Sequence, residues 1–318
     1  MKGVFLDTYP IAQPDVSLSA LHHLPIDWQF HARTLPAEIV SKAFDAEILI
    51  TNKAPMTAQV LSQLPNLKCL LVAATGTNNV DLEQAQRQGI CVCNVQNYGT
   101  DSVAQHTLML MLCLVTQVFS YASAAKDARW QNSDCFSWVG PAAPQALAGK
   151  TLGIVGLGAI GKKVQALAKA FGMSVIVAQR NAKDTRAGRL PWDEFLDTSD
   201  IISLHCPLTP ETKCLIDANA LSKMKKTAFL INVARGPIID EQALAQALLA
   251  KRIQGAGLDV LSCEPPQKDN PLLNARIENL IITPHVAWAS TDARQQLVNK
   301  LANLTEAYLR GKPKNQVF

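Results

Sequence analysis

Three ionisable side chains stand directly after apolar, strand-like runs in the second half of the chain: Arg235 in "INVARGPIID", Glu264 in "GLDVLSCEPP" and His285 in "IITPHVAW". A lone guanidinium at a strand end ordinarily faces water, because removing it from solvent without a partner is costly. A lone imidazole is ordinarily a satisfied structural residue. Three such groups at the carboxyl ends of strands in one parallel sheet are a different matter, since open α/β folds bind their ligands along that edge. Together they offer a two-pronged cation for an anion, an imidazole that exchanges protons near neutrality, and a carboxylate.

A second motif lies upstream. Gly156, Gly158 and Gly161 form GxGxxG in "GLGAIG", after the strand-like "TLGIV" and at the opening of a helix running from Ala159 to Phe171. In that context the glycines let backbone amides, including those of Ala159 and Ile160 at the helix start, approach a pyrophosphate where the helix dipole favours negative charge. The next strand, "MSVIVAQRN", ends in Gln179 and Arg180. NAD sites usually place there an acid that bonds the ribose 2′-hydroxyl and repels a 2′-phosphate. An amide followed by a guanidinium accepts the phosphate instead, so the expected cofactor is NAD(P)(H), with NADP tolerated or preferred. The alternative is that Arg180 stacks on adenine or faces water.

Positioning these groups requires two βαβ units. "KGVFLD", "DWQFHA", "AEILIT", "LKCLLVAAT" and "ICVCNV" read as strands separated by helical segments over 57–64 and 81–88. The pattern restarts at "KTLGIVGLGAIGKK" and continues through "DIISLHC", "AFLINVA", "GAGLDVL" and "NLIITPH". That rhythm predicts an α/β fold with two doubly wound parallel sheets. A single helix is expected from about Ser102 to Lys126, followed by a Trp- and Pro-rich arm. The last helical stretch, after His285, most simply packs back on the first domain. The expected division is therefore 1–99 with 287–318, and 100–286.

Composition agrees with two globular domains. Hydrophobic residues make up 48% of the 318, and charged residues 18%, enough apolar material for two cores. The net charge of +4 is spread without a basic block, which gives nucleic-acid binding no support. Eight cysteines show no CxxC pair and no zinc spacing, so neither a metal nor a disulfide framework is expected, and a reducing cytoplasm is the default. The longest apolar stretch, "TLMLMLCLV", is about half a bilayer span, so no membrane association is expected.

Taken jointly, "GLGAIG", "LHCPLTPET", "LINVARGPIIDEQAL", "GAGLDVLSCEPP" and "TPHVAWAS" resemble the D-isomer-specific 2-hydroxyacid dehydrogenases over essentially the whole chain. "VAATGTNNVDL", "NYGTDSVAQHT" and "WASTDARQQLV" look most like the glycerate dehydrogenase, or hydroxypyruvate reductase, branch. The resemblance implies a flavodoxin-like substrate domain and a Rossmann dinucleotide-binding domain. It implies catalytic roles for Arg235, Glu264 and His285: a clamp on the substrate carboxylate and carbonyl, an orienting carboxylate, and a proton donor. Formate dehydrogenases of the family have an amide at the Glu264 position because no proton is exchanged, so the acid points to hydroxy-acid chemistry.

By the same resemblance Thr75 and Gly76 receive the substrate carboxylate, Asp259 bonds the nicotinamide carboxamide, and Cys206 and Pro207 line the adenosine. Lys53 and Met56 lie in a loop facing the substrate. The implied reaction is reduction of a small 2-oxo acid, hydroxypyruvate and also glyoxylate, to the D-2-hydroxy acid, by a homodimer that pairs through the 102–126 helix and the arm. The competing class is a binding protein: corepressors on this fold keep the dinucleotide site and the same three residues. Against it, no disordered tail or interaction motif is visible in this chain.

Overall fold

The structure, a computed structural model, describes residues 1–181, 184–274 and 276–318. It divides into two compact units, Met1–Gly99 with Trp288–Phe318, and Thr100–Ala287. Ala287 falls with the second unit, where the sequence reading put it with the first. Its N–H donates to Asp259 and its carbonyl accepts from Ser102 Oγ, so its backbone is tied at both ends to that unit.

The first unit is built on five parallel strands, β1 (Lys2–Phe5), β2 (Asp27–Phe30), β3 (Ile48–Thr51), β4 (Cys69–Val72) and β5 (Cys91–Asn94), in the order β2-β1-β3-β4-β5. This is the flavodoxin-like order. Every residue of β3 and β4 is buried, because parallel strands covered on both faces need continuous apolar runs such as "ILIT" and "CLLV". The helix Thr291–Leu309 starts at Ser290, whose Oγ accepts from Ala293 N. It places Leu297, Val298, Leu301 and Leu304 in one core with Phe5, Ile50 and Leu71. Arg294 of that helix, 8% exposed, grips Asp15 with both Nη1 and Nη2.

The second unit has seven strands, β6 (Thr151–Val155), β7 (Ser174–Ala178), β8 (Arg189–Leu190), β9 (Ile201–Leu204), β10 (Phe229–Asn232), β11 (Gly255–Leu258) and β12 (Leu280–Ile282). Their order is β12-β11-β10-β9-β6-β7-β8, parallel throughout. The chain runs outward from β6 in one direction and then from β9 in the other, so the carboxyl ends of β6 and β9 form the switch point of a Rossmann sheet. The short β8 was absent from the sequence reading.

The helix expected over 102–126 is broken. Gln117 takes a left-handed conformation with φ 55°, ending one helix at Thr116 and starting another at Val118, with a bend of 54°. Nor is its apolar face free. Leu108 and Val115 are buried, and Leu110 and Leu114 pack so closely over β11 that a side chain built at Gly257 would come 3.1 Å from Leu110 Cβ. Much of the apolar surface assigned to a partner is therefore used by the chain's own sheet. Among the described residues no single helix is long and apolar enough to cross a membrane.

Candidate active site

Arg235 sits just past β10, and two local devices shape its loop. Buried Asn232 receives Ala234 N at 3.0 Å and donates Nδ2 to Arg235 O at 2.9 Å, folding the chain back on itself. At Gly236 a built side chain would lie 2.0 Å from the carbonyl carbon of Leu261. Only glycine lets these two backbones touch. The contact matters because Leu261 N donates to Glu264 Oε1 at 2.9 Å. The Arg235 loop thus rests on the segment that aims Glu264.

Glu264 Oε2 lies 2.6 Å from His285 Nδ1. An ionised carboxylate only accepts, so Nδ1 carries the hydrogen and Nε2 is left as the nitrogen that exchanges protons with a ligand. His285 has φ 54°, a left-handed conformation unfavourable for a residue with a β-carbon. Asp259 holds it there. The His285 N–H donates to the Asp259 carbonyl at 2.8 Å. The Asp259 carboxylate accepts Val286 N on Oδ1 at 2.9 Å and Ala287 N on Oδ2 at 2.8 Å. Thr283 Oγ1 donates to Oδ1 at 2.6 Å, and His106 Nε2 stands 2.9 Å from Thr283 Oγ1. Burial draws the His106 pKa down, against the opposing pull of Asp259. Asp259 is 1% exposed.

The glycine turn follows β6 into the helix Ala159–Ala170. Gly156 has φ 95°, and a side chain there would lie 2.7 Å from Cys206 N, at the end of β9. At Gly161 it would lie 2.3 Å from the Gly156 carbonyl oxygen, which would drive the helix off the strand. Gly158 faces open space and caps the helix, leaving the amides of Ala159, Ile160 and Gly161 without partners inside the helix. Such a cradle of free amides and absent side chains fits a pyrophosphate. His205, which backs the turn, pairs Nε2 with Ser203 Oγ at 2.9 Å, and burial lowers its pKa to about 4, so it is neutral at physiological pH.

Beside the turn lies a cavity of about 660 Å³ lined by Gly156, Gln179, Arg180, Cys206 and Pro207. Arg186 and Arg189 line it too. Asp184, behind them, accepts from Arg186 Nε and Nη2, each at 2.7 Å, and from Arg180 N at 3.0 Å. The Arg186 bonds, with that from Arg180 N, hold its carboxyl well below the usual range. Among the described residues Glu211 is the only acid in the lining; with Asp184 behind, three guanidinium groups face two carboxylates, and the wall is positive.

In the first unit, Thr75 is exposed after β4. Its Oγ1 donates to Val95 O at 3.0 Å, and Asn94 Nδ2 donates to its carbonyl at 2.6 Å. Asp7 accepts the N–H groups of Asn52, Lys53 and Ala54, fixing the loop that carries Lys53, while Met56 is fully buried.

The family model described as "D-isomer specific 2-hydroxyacid dehydrogenase, NAD binding domain" matches residues 108–287, more than half of the chain. The chain belongs to the D-isomer-specific 2-hydroxyacid dehydrogenases. It is 44% identical over 289 residues to the glycerate dehydrogenase of Methylorubrum extorquens, covering 91% of each chain. To the hydroxypyruvate reductase of Blautia hydrogenotrophica it is 38% identical over 324 residues, covering 100% of this chain and 99% of that one. A solved acyclic imino acid reductase in complex with NADPH and D-Arg superposes with a TM-score of 0.86 at 29% identity, covering 100% of both chains. As a member of this family the chain is an oxidoreductase that uses a nicotinamide dinucleotide.

For this dehydrogenase the structure joins Glu264 to His285 and sets the Arg235 loop against them. It groups Gln179, Arg180, Cys206 and Pro207 around one cavity. Sequence reasoning passed over Asp184, Arg186, Arg189, His106 and Thr283. The three arginines within ten residues, in "QRNAKDTRAGR", were the available signal for the first group. His106 and Thr283 are far apart in the chain and gave none.

Proposed function

We propose that this enzyme reduces hydroxypyruvate to D-glycerate, accepts glyoxylate as a smaller substrate, and runs on NADPH as well as NADH. The observation that carries the reading is the 2.6 Å Glu264–His285 pair beside the Arg235 loop. A 2-oxo acid presents a carboxylate and a carbonyl side by side, and a guanidinium binds both through parallel N–H donors, polarising the carbonyl. His285 Nε2 gives its proton to the carbonyl oxygen as that oxygen gains charge. Glu264 keeps the ring oriented through its contact with Nδ1. When bound, the dinucleotide supplies the hydride.

The glycine turn is assigned to the pyrophosphate, Gln179 and Arg180 to the ribose end, and Cys206 and Pro207 to the adenosine. Asp259 Oδ2, with one donor among the described residues, has a lone pair for the carboxamide. Thr75 and Gly76 are assigned to the substrate carboxylate on the family resemblance. Names of the relatives support the substrate class, and the positive cavity wall supports NADPH. Steady oxidation of NADH or NADPH on adding hydroxypyruvate tests the activity. Tight dinucleotide binding with no turnover of any small 2-oxo acid would instead favour a corepressor-like protein.

Homodimer formation is part of the same proposal, now through the helix Val118–Ala124 and the arm. Phe119 is 62% exposed and Phe136 90%, apolar area that isolated monomers seldom display together. A monomer in sedimentation at micromolar concentration would refute it.

A further inference from the structure

The helix Glu241–Leu249 follows directly on the Arg235 loop. Its start is capped by Asp240, whose Oδ1 accepts Ala243 N at 3.0 Å, so the Glu241 carboxylate is not needed there. That carboxylate reaches instead to both ends of the segment 262–270, which carries Glu264. Oε1 accepts Ser262 N at 2.5 Å, and Oε2 accepts Asn270 Nδ2 at 2.8 Å. Asn270 in turn accepts Leu272 N on Oδ1 at 2.9 Å. Leu272 is buried in one core with Leu244 and Leu248 of the Glu241 helix.

Burial does not shape this segment. Ser262 to Asp269 are all exposed, so apolar packing gives them little hold, and the entropy lost on ordering them must be offset by hydrogen bonds. At one end, a side chain built at Gly236 would lie 2.3 Å from Ser262 N, so that N–H sits between the backbone of the Arg235 loop and the Glu241 carboxylate. A backbone N–H bonded to a carboxylate is among the stronger hydrogen bonds. Between the two Glu241 contacts stands Glu264, whose Oε1 takes Leu261 N and whose Oε2 meets His285 Nδ1. An acid in the first turn of a helix ordinarily serves the helix dipole. Two bonds to opposite ends of one distant segment go beyond what the dipole requires.

We propose that Glu241 is a positioning residue for the reaction: it staples the two ends of the segment 262–270 and so holds Glu264 where it orients His285. This role rests on the Glu264–His285 site proposed above, and Glu241 acts on the imidazole only through Glu264. The hydrogen-bond pattern makes the staple separable from the charge. Glu241→Gln keeps one accepting oxygen and turns the other into an NH₂ group, so whichever way the amide points, one N–H meets another. Asn270→Asp sets a second carboxylate against the first. Combined, the two substitutions exchange donor and acceptor: the new amide keeps Ser262 N on its oxygen and donates to the new carboxylate, whose other oxygen still accepts Leu272 N.

The test uses the full chain, with hydrogen–deuterium exchange of the fragment bearing 262–270 and steady-state kinetics on hydroxypyruvate at saturating dinucleotide. Exchange should quicken by about fivefold in Glu241→Gln and in Asn270→Asp, and return to within about twofold of wild type in the double variant. The value of kcat should follow the same order, falling by about fivefold in each single variant and recovering in the pair, with the KM for dinucleotide unchanged. In a Glu264→Gln background, Glu241→Gln should lower kcat by less than about twofold, because the path through Glu264 is already lost. Exchange that does not respond overturns the staple. A kcat loss that persists in the double variant, or that multiplies with the loss from Glu264→Gln, overturns positioning and leaves Glu241 a helix-start residue. A wild-type chain that does not turn over hydroxypyruvate would instead remove the site reading, and exchange would still decide whether the staple exists.

Discussion

Replacing Glu264 by glutamine removes a charge and leaves the side-chain shape, so it isolates what the carboxylate does for His285. The two groups meet at 2.6 Å, with side chains 35% and 26% exposed. Unit charges centred about 4 Å apart attract by about 1 kcal/mol in bulk water and by about 4 kcal/mol at the effective dielectric near a protein surface. Partial exposure places this pair toward the lower end, at about 1–2 kcal/mol. Since 1.36 kcal/mol is a factor of ten in rate, losing the charge should cost about tenfold. The Leu261 N–H adds to the effect. It occupies Oε1, so in the variant the amide oxygen is retained there and the NH₂ group meets Nδ1, opposing a protonated nitrogen.

The sign follows from the chemistry. Reduction needs an oriented ring that gives its proton to the carbonyl oxygen, so kcat with hydroxypyruvate should fall by about tenfold in Glu264→Gln. Initial rates with hydroxypyruvate and saturating cofactor give kcat, and the KM for dinucleotide should hardly change. An unchanged kcat would show that the pair does not govern the proton. A rise in the KM for dinucleotide that matches the loss of kcat would show that Glu264 only shapes the loop.

Three further outcomes are expected. Arg235→Lys should raise KM for the 2-oxo acid and lower kcat at every pH, because an ammonium cannot reproduce the two parallel donors; full activity would reduce Arg235 to a solvated strand end. Gln179→Asp should shift the ratio of kcat/KM from NADPH towards NADH by about tenfold, from repulsion of about 1–2 kcal/mol against a 2′-phosphate at the cavity wall; an unchanged ratio would remove Gln179 from the ribose. Asp15→Asn tests the terminal helix: Arg294 lowers the Asp15 pKa from 3.8 to about 2, so its contribution is present above about pH 4 and lost as pH falls through about 2. The gap in urea midpoint between wild type and variant should therefore close on acidification, and a gap that persists at the lowest pH would refute the ion pair.

The parts of this fold legible in sequence are those whose signal is local. "ILIT", "CLLV" and "FLIN" read as strands because burial on both faces demands unbroken apolar runs. The glycine turn reads as a cradle because strand, glycines and helix are contiguous. Gln117 was missed because neither Gly nor Pro marks its left-handed turn. β8 was missed because two residues, Arg189 and Leu190, carry no periodicity. At the site the limit is different in kind. A polar residue at a strand end looks the same in sequence whether it meets ligand or chain, and only burial separates the cases. Glu264 and His285 keep solvent-facing surface and meet each other. Asp259, almost fully buried, takes two backbone N–H groups and a hydroxyl from the segment bearing His285. Its first duty is to hold the imidazole's backbone in an unfavourable conformation, and among the described residues Oδ1 takes two donors for that duty while Oδ2 takes one.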